Sequence, residues 1–263
     1  MTEAVAVPVT SLPGGAEMPM IGFGTWELRG RAGRQAVLTA LRDGYRHIDT
    51  ATMYGNESEV GRALTDSGLA RESVFITTKL PSSKAGREWG TLAASLRALG
   101  TDHVDLWLVH WPPSSGRQLC QVWREFLALR DEGKARAIGV SNYSLAQIDR
   151  LTEATGVTPA VNQISWSPAR YDAALVAGHR ERGVALEGYS PLKGADLADP
   201  VLTGIATAHG VTPAQVVLRW HLEHGITVIP KSSHPDRIAA NIDVLGFKLT
   251  PDQVARIDAL SRR

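Results

Sequence analysis

The chain has a single cysteine, Cys120, in 263 residues, so no disulfide can join two of its own side chains. That fits a reducing compartment. An excess of one charge is also missing. Lys and Arg number 28 against 27 Asp and Glu, a formal net charge of +1, so no global field draws the chain to nucleic acid or an anionic membrane. No apolar run approaches the roughly 18 residues of a membrane-spanning helix. Residues 1–16 lack a basic segment followed by an apolar one, so no secretory signal is visible. The expectation is a cytoplasmic monomer with no nucleic-acid or membrane partner. Cys120 lies in the apolar stretch 119–122 of an expected helix and reads as a small core residue.

Two chemical signals are incomplete. Gly22-Phe23-Gly24 begins like a dinucleotide loop, but position 27 is Glu where that loop needs Gly. His221 and His224 form an H-x-x-H pair without an evident third ligand, so no metal is expected.

What is present is a row of short apolar runs, each ending on a polar residue that can do chemistry. These residues are Asp49, Lys79, His110, Ser141, Gln163, Tyr189 and Lys231. The first four stand 30, 31 and 31 positions apart. That spacing is one strand–loop–helix–loop unit, the crossover that parallel strands require. Strands are expected at 21–25, 45–49, 73–79, 104–110, 135–140, 160–163, 184–189 and 227–229. Helical patterns follow them at 34–42, 58–65, 88–99, 119–131, 144–155, 172–182, 200–209 with 213–224, and 235–244, with a last helix at 251–260. Gly44, Gly68, Gly100, Gly133 and Gly183 stand as helix stops, and Ser144 as an N-cap. A turn at Leu12-Pro13-Gly14-Gly15-Ala16 between 5–9 and 18–20 predicts a short hairpin ahead of the repeat. No linker or low-complexity tract divides the chain. The expected fold is therefore one α/β domain over 1–263, a (β/α)8 TIM barrel with an N-terminal β-hairpin.

Polar groups at the carboxyl ends of parallel strands are where such a fold builds its active site. Strand periodicity puts Tyr45, His47 and Asp49 on one face, with Tyr54 in the loop beyond. Asp49, Tyr54, Lys79 and His110 are thus expected to converge at one mouth. Trp26, Met53 and Trp111 sit just past strand ends and are candidates for a substrate-pocket wall. Trp89, Trp107, Trp123 and Trp220 lie within elements and are expected in the packed layers, as is His47.

These residues also carry a resemblance. Gly44-Tyr45-Arg46-His47-Ile48-Asp49-Thr50-Ala51 with Tyr54-Gly55-Asn56-Glu57 is similar to the signature of the aldo-keto reductase superfamily. So are Phe75-Ile76-Thr77-Thr78-Lys79-Leu80, Leu108-Val109-His110-Trp111-Pro112, Ile138-Gly139-Val140-Ser141-Asn142, and Ile229-Pro230-Lys231-Ser232 with Arg237 and Asn241. The resemblance spans nearly the whole chain and is nearest to bacterial members that reduce diketo sugar acids and small aldehydes.

It implies NADPH-dependent reduction of an aldehyde or ketone by a tetrad of Asp49, Tyr54, Lys79 and His110. A phenol, with an ordinary pKa of about 10, keeps its proton at neutral pH and releases it reluctantly. Lys79 would ease that release by stabilising the phenolate. Asp49 would hold Lys79, and His110 would orient the carbonyl. Tyr54 would then be the general acid.

The resemblance further assigns Ser141, Asn142 and Gln163 to the nicotinamide carboxamide and Tyr189 to the ring face. Ser190 and Leu192 fall in a loop over the pyrophosphate, Lys231, Ser232 and Arg237 at the 2′-phosphate, and Asn241 at the adenine. Two cations and a hydroxyl suit a phosphate dianion, so NADP(H) is expected over NAD(H). Three positions depart from the family pattern. Ala240 stands where many relatives have Glu or Gln, Pro81 where an aromatic is frequent, and Ser167 where His is common. The loop after His110 is short, and the chain stops soon after its last helix, so an open, tolerant pocket is expected. Two other readings use the same residues: a non-catalytic NADP(H)-binding sensor or regulatory protein on this fold, and a Schiff-base aldolase using Lys79.

Overall fold

The structure, a computed structural model, describes residues 7–262. Strands β1 (Val9–Ser11) and β2 (Glu17–Pro19) pair antiparallel. The turn between them is closed by Leu12 N–H donating to Ala16 O at 2.8 Å and Gly15 N–H to Leu12 O at 3.1 Å. Gly14 and Gly15 adopt φ of 91° and 84° there, a region that glycine occupies without a Cβ penalty. The hairpin therefore exists, but its strands hug the turn more closely than 5–9 and 18–20. Residues 5 and 6 lie outside the described residues. Pro8 and Pro19 have no N–H for a ladder, which limits its extension.

The repeat follows. Strand β3 (Phe23–Gly24) leads to α1 (Gly30–Arg42), β4 (His47–Asp49) to α2 (Glu57–Ser67), and β5 (Phe75–Leu80) to α3 (Glu88–Leu99). Next, β6 (Val104–Val109) leads to α4 (Gly116–Asp131), β7 (Ala135–Ser141) to α5 (Leu145–Thr155), and β8 (Val161–Ser165) to α6 (Ala173–Glu181). Strand β9 (Ala185–Tyr189) precedes two helices, α7 (Pro200–His209) and α8 (Pro213–Glu223). Last come β10 (Thr227–Ile229), α9 (Pro235–Ile242) and α10 (Pro251–Asp258). Helices α5, α8 and α10 begin with full capping boxes, Ser144 with Gln147, Thr212 with Gln215 and Thr250 with Gln253. Each box satisfies two otherwise orphaned N–H groups.

Strands β3 to β10 lie in chain order, each parallel to the next. The ring closes through a bridge between Ile21 and Val228, with Gly22 N–H donating to Val228 O at 2.9 Å and Gly24 N–H to Pro230 O at 3.0 Å. The two glycines make this seam possible. A Cβ on Gly22 would lie 2.8 Å from the His47 ring, and one on Gly24 would lie 2.9 Å from the Ile229 carbonyl. Gly22-Phe23-Gly24 is thus the barrel's closing joint.

Met18 and Leu12 of the hairpin pack with Phe75, Leu106, Leu108 and Val161, plugging the amino-terminal end of the barrel. The carboxyl end stays open. Between barrel and helices, Trp107 stacks on Phe126 with centroids 3.8 Å apart, and Trp123 and Trp220 are fully buried. Two expectations fail here. Trp89 is 45% exposed, because it sits in the first turn of α3, where its ring N–H donates to Glu125 at 2.8 Å. Tyr45 does not share the inner face with His47. It precedes β4, and its hydroxyl reaches outward to the Ile238 carbonyl of α9 at 3.0 Å, while His47 lies against Phe75 inside. Among the described residues no single helix is long and apolar enough to cross a membrane.

Candidate active site

Strand β4 ends on Asp49, and Lys79 stands one residue before the end of the neighbouring β5. Both side chains point into the barrel and meet. The Lys79 ammonium donates to Asp49 Oδ1 at 2.6 Å, to Asp49 Oδ2 at 2.7 Å and to the Thr50 carbonyl at 2.9 Å. It is fully buried. Burial alone would pull an ammonium down strongly. The charge of Asp49 and the hydrogen bonds it accepts outweigh that effect and carry Lys79 above its ordinary value. Lys79 is therefore a fixed cation.

Tyr54 reaches this cation from the loop. It ends a single 3-10 turn, Thr52–Tyr54, after which Gly55 takes φ 65° and lets the chain reverse. Two ties hold the turn. Thr52 Oγ1 donates to the Lys79 carbonyl at 3.0 Å. Buried Asn56 accepts from Thr50 Oγ1 at 2.8 Å and donates to the carbonyls of Thr25 and Leu28 at 2.8 Å each. The Tyr54 hydroxyl then lies 3.5 Å from Lys79 Nζ, with the ammonium 5.1 Å from the ring centroid. Burial raises the Tyr54 pKa more than Lys79 lowers it, so the phenol stays above its ordinary value. The pull of the ammonium is present, but it is the smaller of the two influences in this state.

His110 follows β6, its N–H bonded to the Leu80 carbonyl at 2.9 Å. Its ring meets Tyr54 edge-on with centroids 5.8 Å apart. Burial, helped by Lys79, drops its pKa to about 3, so the imidazole is neutral near pH 7. Four residues that span 61 positions (49 to 110) in the chain thus converge.

Across the mouth, Asn142 occupies the left-handed region at φ 64°. Its amide donates to the His110 carbonyl at 3.1 Å and to Ser141 Oγ at 3.0 Å, and its oxygen accepts from the Tyr189 hydroxyl at 3.0 Å. Gln163 donates through Nε2 to Asp49 Oδ2 and to Glu187 Oε2, both at 2.8 Å. Its two N–H bonds are therefore used, and only its oxygen remains to face the opening.

A cavity of about 370 Å³ lies above these groups. Asp49, Tyr54, His110, Asn142, Gln163, Tyr189, Ser190 and Lys231 line it, as do Trp26, Met53 and Trp111. Those last three are about half exposed and form an apolar rim. Ser141, Leu192, Ser232, Arg237 and Asn241 stand outside these walls. Ser141 is buried, its hydroxyl donating to the Gln163 carbonyl at 2.8 Å. Leu192 packs against the apolar layers. Ser232 Oγ accepts from the His234 N–H at 3.1 Å, beside exposed Arg237 and buried Asn241 on α9.

Lys193 was missed in the sequence. It lines the cavity, its ammonium 5.8 Å from the centroid of the Trp26 ring. A cation directly after Ser190-Pro191-Leu192 was its only signal. Glu27 was missed too, with φ 64° and its carboxylate 3.6 Å from Lys231 Nζ. A larger hollow of about 590 Å³ lies at the opposite end, beside the hairpin. It is far from the convergent groups, and two of the charges lining it, Arg136 and Asp105, pair with each other at 3.2 Å.

A closed ring of eight parallel strands with a buried Lys–Asp pair, a phenol and a neutral imidazole at its carboxyl mouth defines a (β/α)8 barrel with an enzyme's site. The model of the aldo/keto reductase family matches residues 20–200 and 193–262, and the chain belongs to that family. It is 45% identical over 261 residues to the 2,5-diketo-D-gluconic acid reductase B of a Corynebacterium species, covering 97% of this chain and 94% of the relative. A solved aldo/keto reductase of Brucella melitensis superposes with a TM-score of 0.96 at 42% identity, covering 98% of this chain and all of that one. A Bombyx mori aldo-keto reductase solved with NADP superposes with a TM-score of 0.91 at 33% identity, covering 99% and 95%. The protein is accordingly an oxidoreductase of carbonyl compounds.

Proposed function

We propose that the protein reduces aldehydes and ketones to alcohols with NADPH, Tyr54 giving the proton to the carbonyl oxygen. The observation that carries this reading is the Tyr54 hydroxyl lying 3.5 Å from a buried, permanently charged Lys79. Asp49 holds Lys79 and keeps it charged. As the substrate oxygen gains negative charge, Lys79 stabilises the phenolate that Tyr54 leaves behind. His110, neutral, presents a ring N–H to orient that oxygen.

The residues fit a nicotinamide dinucleotide phosphate. When bound, that cofactor supplies the hydride. Gln163 offers an oxygen to the carboxamide N–H, and Asn142 and Ser141 stand beside it. Tyr189, anchored by its hydroxyl to Asn142, offers its ring as a stacking face. Ser190 and Leu192 belong to the loop toward the pyrophosphate. Lys231, Ser232 and Arg237 make a cationic end suited to the 2′-phosphate, with Asn241 near the adenine. The apolar rim of Trp26, Met53 and Trp111 would receive small carbonyl substrates, including diketo sugar acids of the kind named for the Corynebacterium relative.

The buried, clamped ammonium of Lys79 speaks against a Schiff base, which needs a free amine. A sensor without turnover would have no use for a phenol kept protonated beside a cation. The test is a carbonyl panel with NADPH and NADH side by side, using wild type and Tyr54→Phe. The variant should lose reduction and keep NADPH binding, seen by quenching of tryptophan emission. Wild-type turnover by the variant would refute the role of Tyr54.

A further inference from the structure

Glu187 is the one fully buried carboxyl inside the barrel that this mechanism leaves unused among the described residues. It sits on β9 in register with Gln163 of β8 and Thr227 of β10. It has no solvent exposure. Its Oε2 accepts from Gln163 at 2.8 Å, and the same Gln163 nitrogen serves Asp49. Its Oε1 has no hydrogen-bond partner and lies 3.6 Å from His47 Nε2. The other His47 nitrogen, Nδ1, faces the Pro19 carbonyl at 3.1 Å and must be the protonated one. A neutral His47 therefore turns a lone pair toward Glu187, shared with the Thr77 hydroxyl at 3.1 Å. No N–H therefore faces Oε1, and a buried carboxylate oxygen without a donor is costly, which favours the acid form. The charged groups facing this carboxyl are Asp49 of β4 and Lys79 of β5, which form an ion pair with each other, and of the two Asp49 acts on it more strongly.

We propose that Glu187 is a positioning residue of the reductase site, held as a neutral carboxylic acid that fixes Gln163. This rests on the reductase reading above. By accepting from Gln163 Nε2, Glu187 turns the Gln163 oxygen toward the opening, where the nicotinamide amide would meet it. By staying neutral, it keeps a second negative charge away from Lys79, whose full positive field then acts on Tyr54. Burial, then the charge of Asp49, lifts the Glu187 pKa to about 8, and burial takes His47 down to about 4. Between these values the proton belongs to the carboxyl. Above about pH 8 Glu187 ionises, and the new charge makes Tyr54 a weaker acid.

Two measurements on wild type and Glu187→Gln test this. The first is thermal unfolding of the cofactor-free protein. A carboxyl whose folded pKa is raised contributes stability below its unfolded value and loses it as pH rises toward the folded one. The Tm of Glu187→Gln relative to wild type should therefore rise by roughly 5–10 °C from about pH 5 to about pH 8. A flat difference overturns the proposal. The second is the alkaline limb of kcat, read as the ratio of turnover at high and neutral pH within each protein. The limb should move up by about one pH unit or more in Glu187→Gln. Coincident limbs would reduce Glu187 to a structural role and overturn the positioning claim. If wild type reduces no carbonyl at all, the reductase reading fails and the positioning role falls with it, while the melting result still decides the protonation of Glu187. Should the variant not fold, NMR of wild type labelled at the glutamate carboxyls replaces it. One carboxyl titrating near 8 supports the assignment, and none above about 6 overturns it.

Discussion

Replacing Asp49 by Asn would remove one charge from a pair that is almost wholly buried. Lys79 is fully buried and Asp49 is 2% exposed, and the ammonium makes two of its bonds, at 2.6 and 2.7 Å, to this carboxylate. Losing one partner of a buried pair leaves an uncompensated charge and costs about 3–5 kcal/mol. At roughly 2–4 °C per kcal/mol for a chain of this size, the Tm of Asp49→Asn should fall by roughly 6–20 °C. Lys79→Met should cost a similar amount by stranding Asp49. The double variant, with both charges gone, should lie well above either single one, because an apolar replacement of a whole pair is often close to neutral. Gln163 adds a second effect. Its Nε2 donates to Asp49 Oδ2, so an Asn side chain keeps its oxygen at that place, and its nitrogen at the Oδ1 place then meets the Lys79 ammonium donor to donor. Urea unfolding of wild type, both singles and the double gives the coupling energy directly. A double variant no more stable than the singles, or an Asp49→Asn loss under about 1 kcal/mol, would show that the pair is not the buried contact described here.

Glu27→Gln should tighten NADPH binding by roughly two- to fivefold at low salt, since a half-exposed pair such as Glu27–Lys231 contributes only a few tenths to about 1 kcal/mol. Titrating tryptophan quenching measures this, and weaker binding would refute competition for Lys231. Gly22→Ala should destabilise the barrel by about 1–3 kcal/mol, because its methyl would lie 2.8 Å from His47 and Ile229; an unchanged urea midpoint would contradict the tight seam. Burial lowers the pKa of His47 and His221 to about 4 and of His110 to about 3, so the folded chain refuses protons that the unfolded chain takes up below about 6.5. Stability should fall as pH drops from about 6.5 toward 4, by up to about 1.4 kcal/mol per unit for each imidazole. Urea midpoints that stay level across that window would show that these rings are charged in the fold.

Most of the barrel was legible in the amino-acid order because parallel strands impose a repeat. Each strand needs an apolar run and each crossover a helix, so the spacing of Asp49, Lys79, His110 and Ser141 reflects the architecture before any contact is known. The same repeat marked the strand ends, with Tyr54 one loop beyond Asp49, as the place where polar groups converge, while the chemistry proposed for them came from the likeness of their motifs to a known family. Boundaries were less legible where local pattern was weak. The first hairpin strand lay nearer its turn, and Tyr45 faced α9 because β4 begins two residues later than alternation suggested.

What only the tertiary structure decided are relations between side chains far apart in the chain. Gln163 bridges to Asp49, 114 positions away, and this determines which end of its amide faces the cavity. Tyr54 keeps its proton tightly because burial there outweighs Lys79, and burial is a property of the assembled loops. Glu27 meets Lys231 and Lys193 meets Trp26 only because closing the ring brings the first strand beside the last. Glu187 shows the same division. In the chain it is one acidic residue in an apolar strand, and only a closed barrel, which buries it fully with His47, Gln163 and Asp49 around it, makes it an uncharged acid. Pattern reports which faces are apolar and how far the chain travels between them. Charge state and hydrogen-bond direction depend on dielectric and distance, which exist only once the chain has folded.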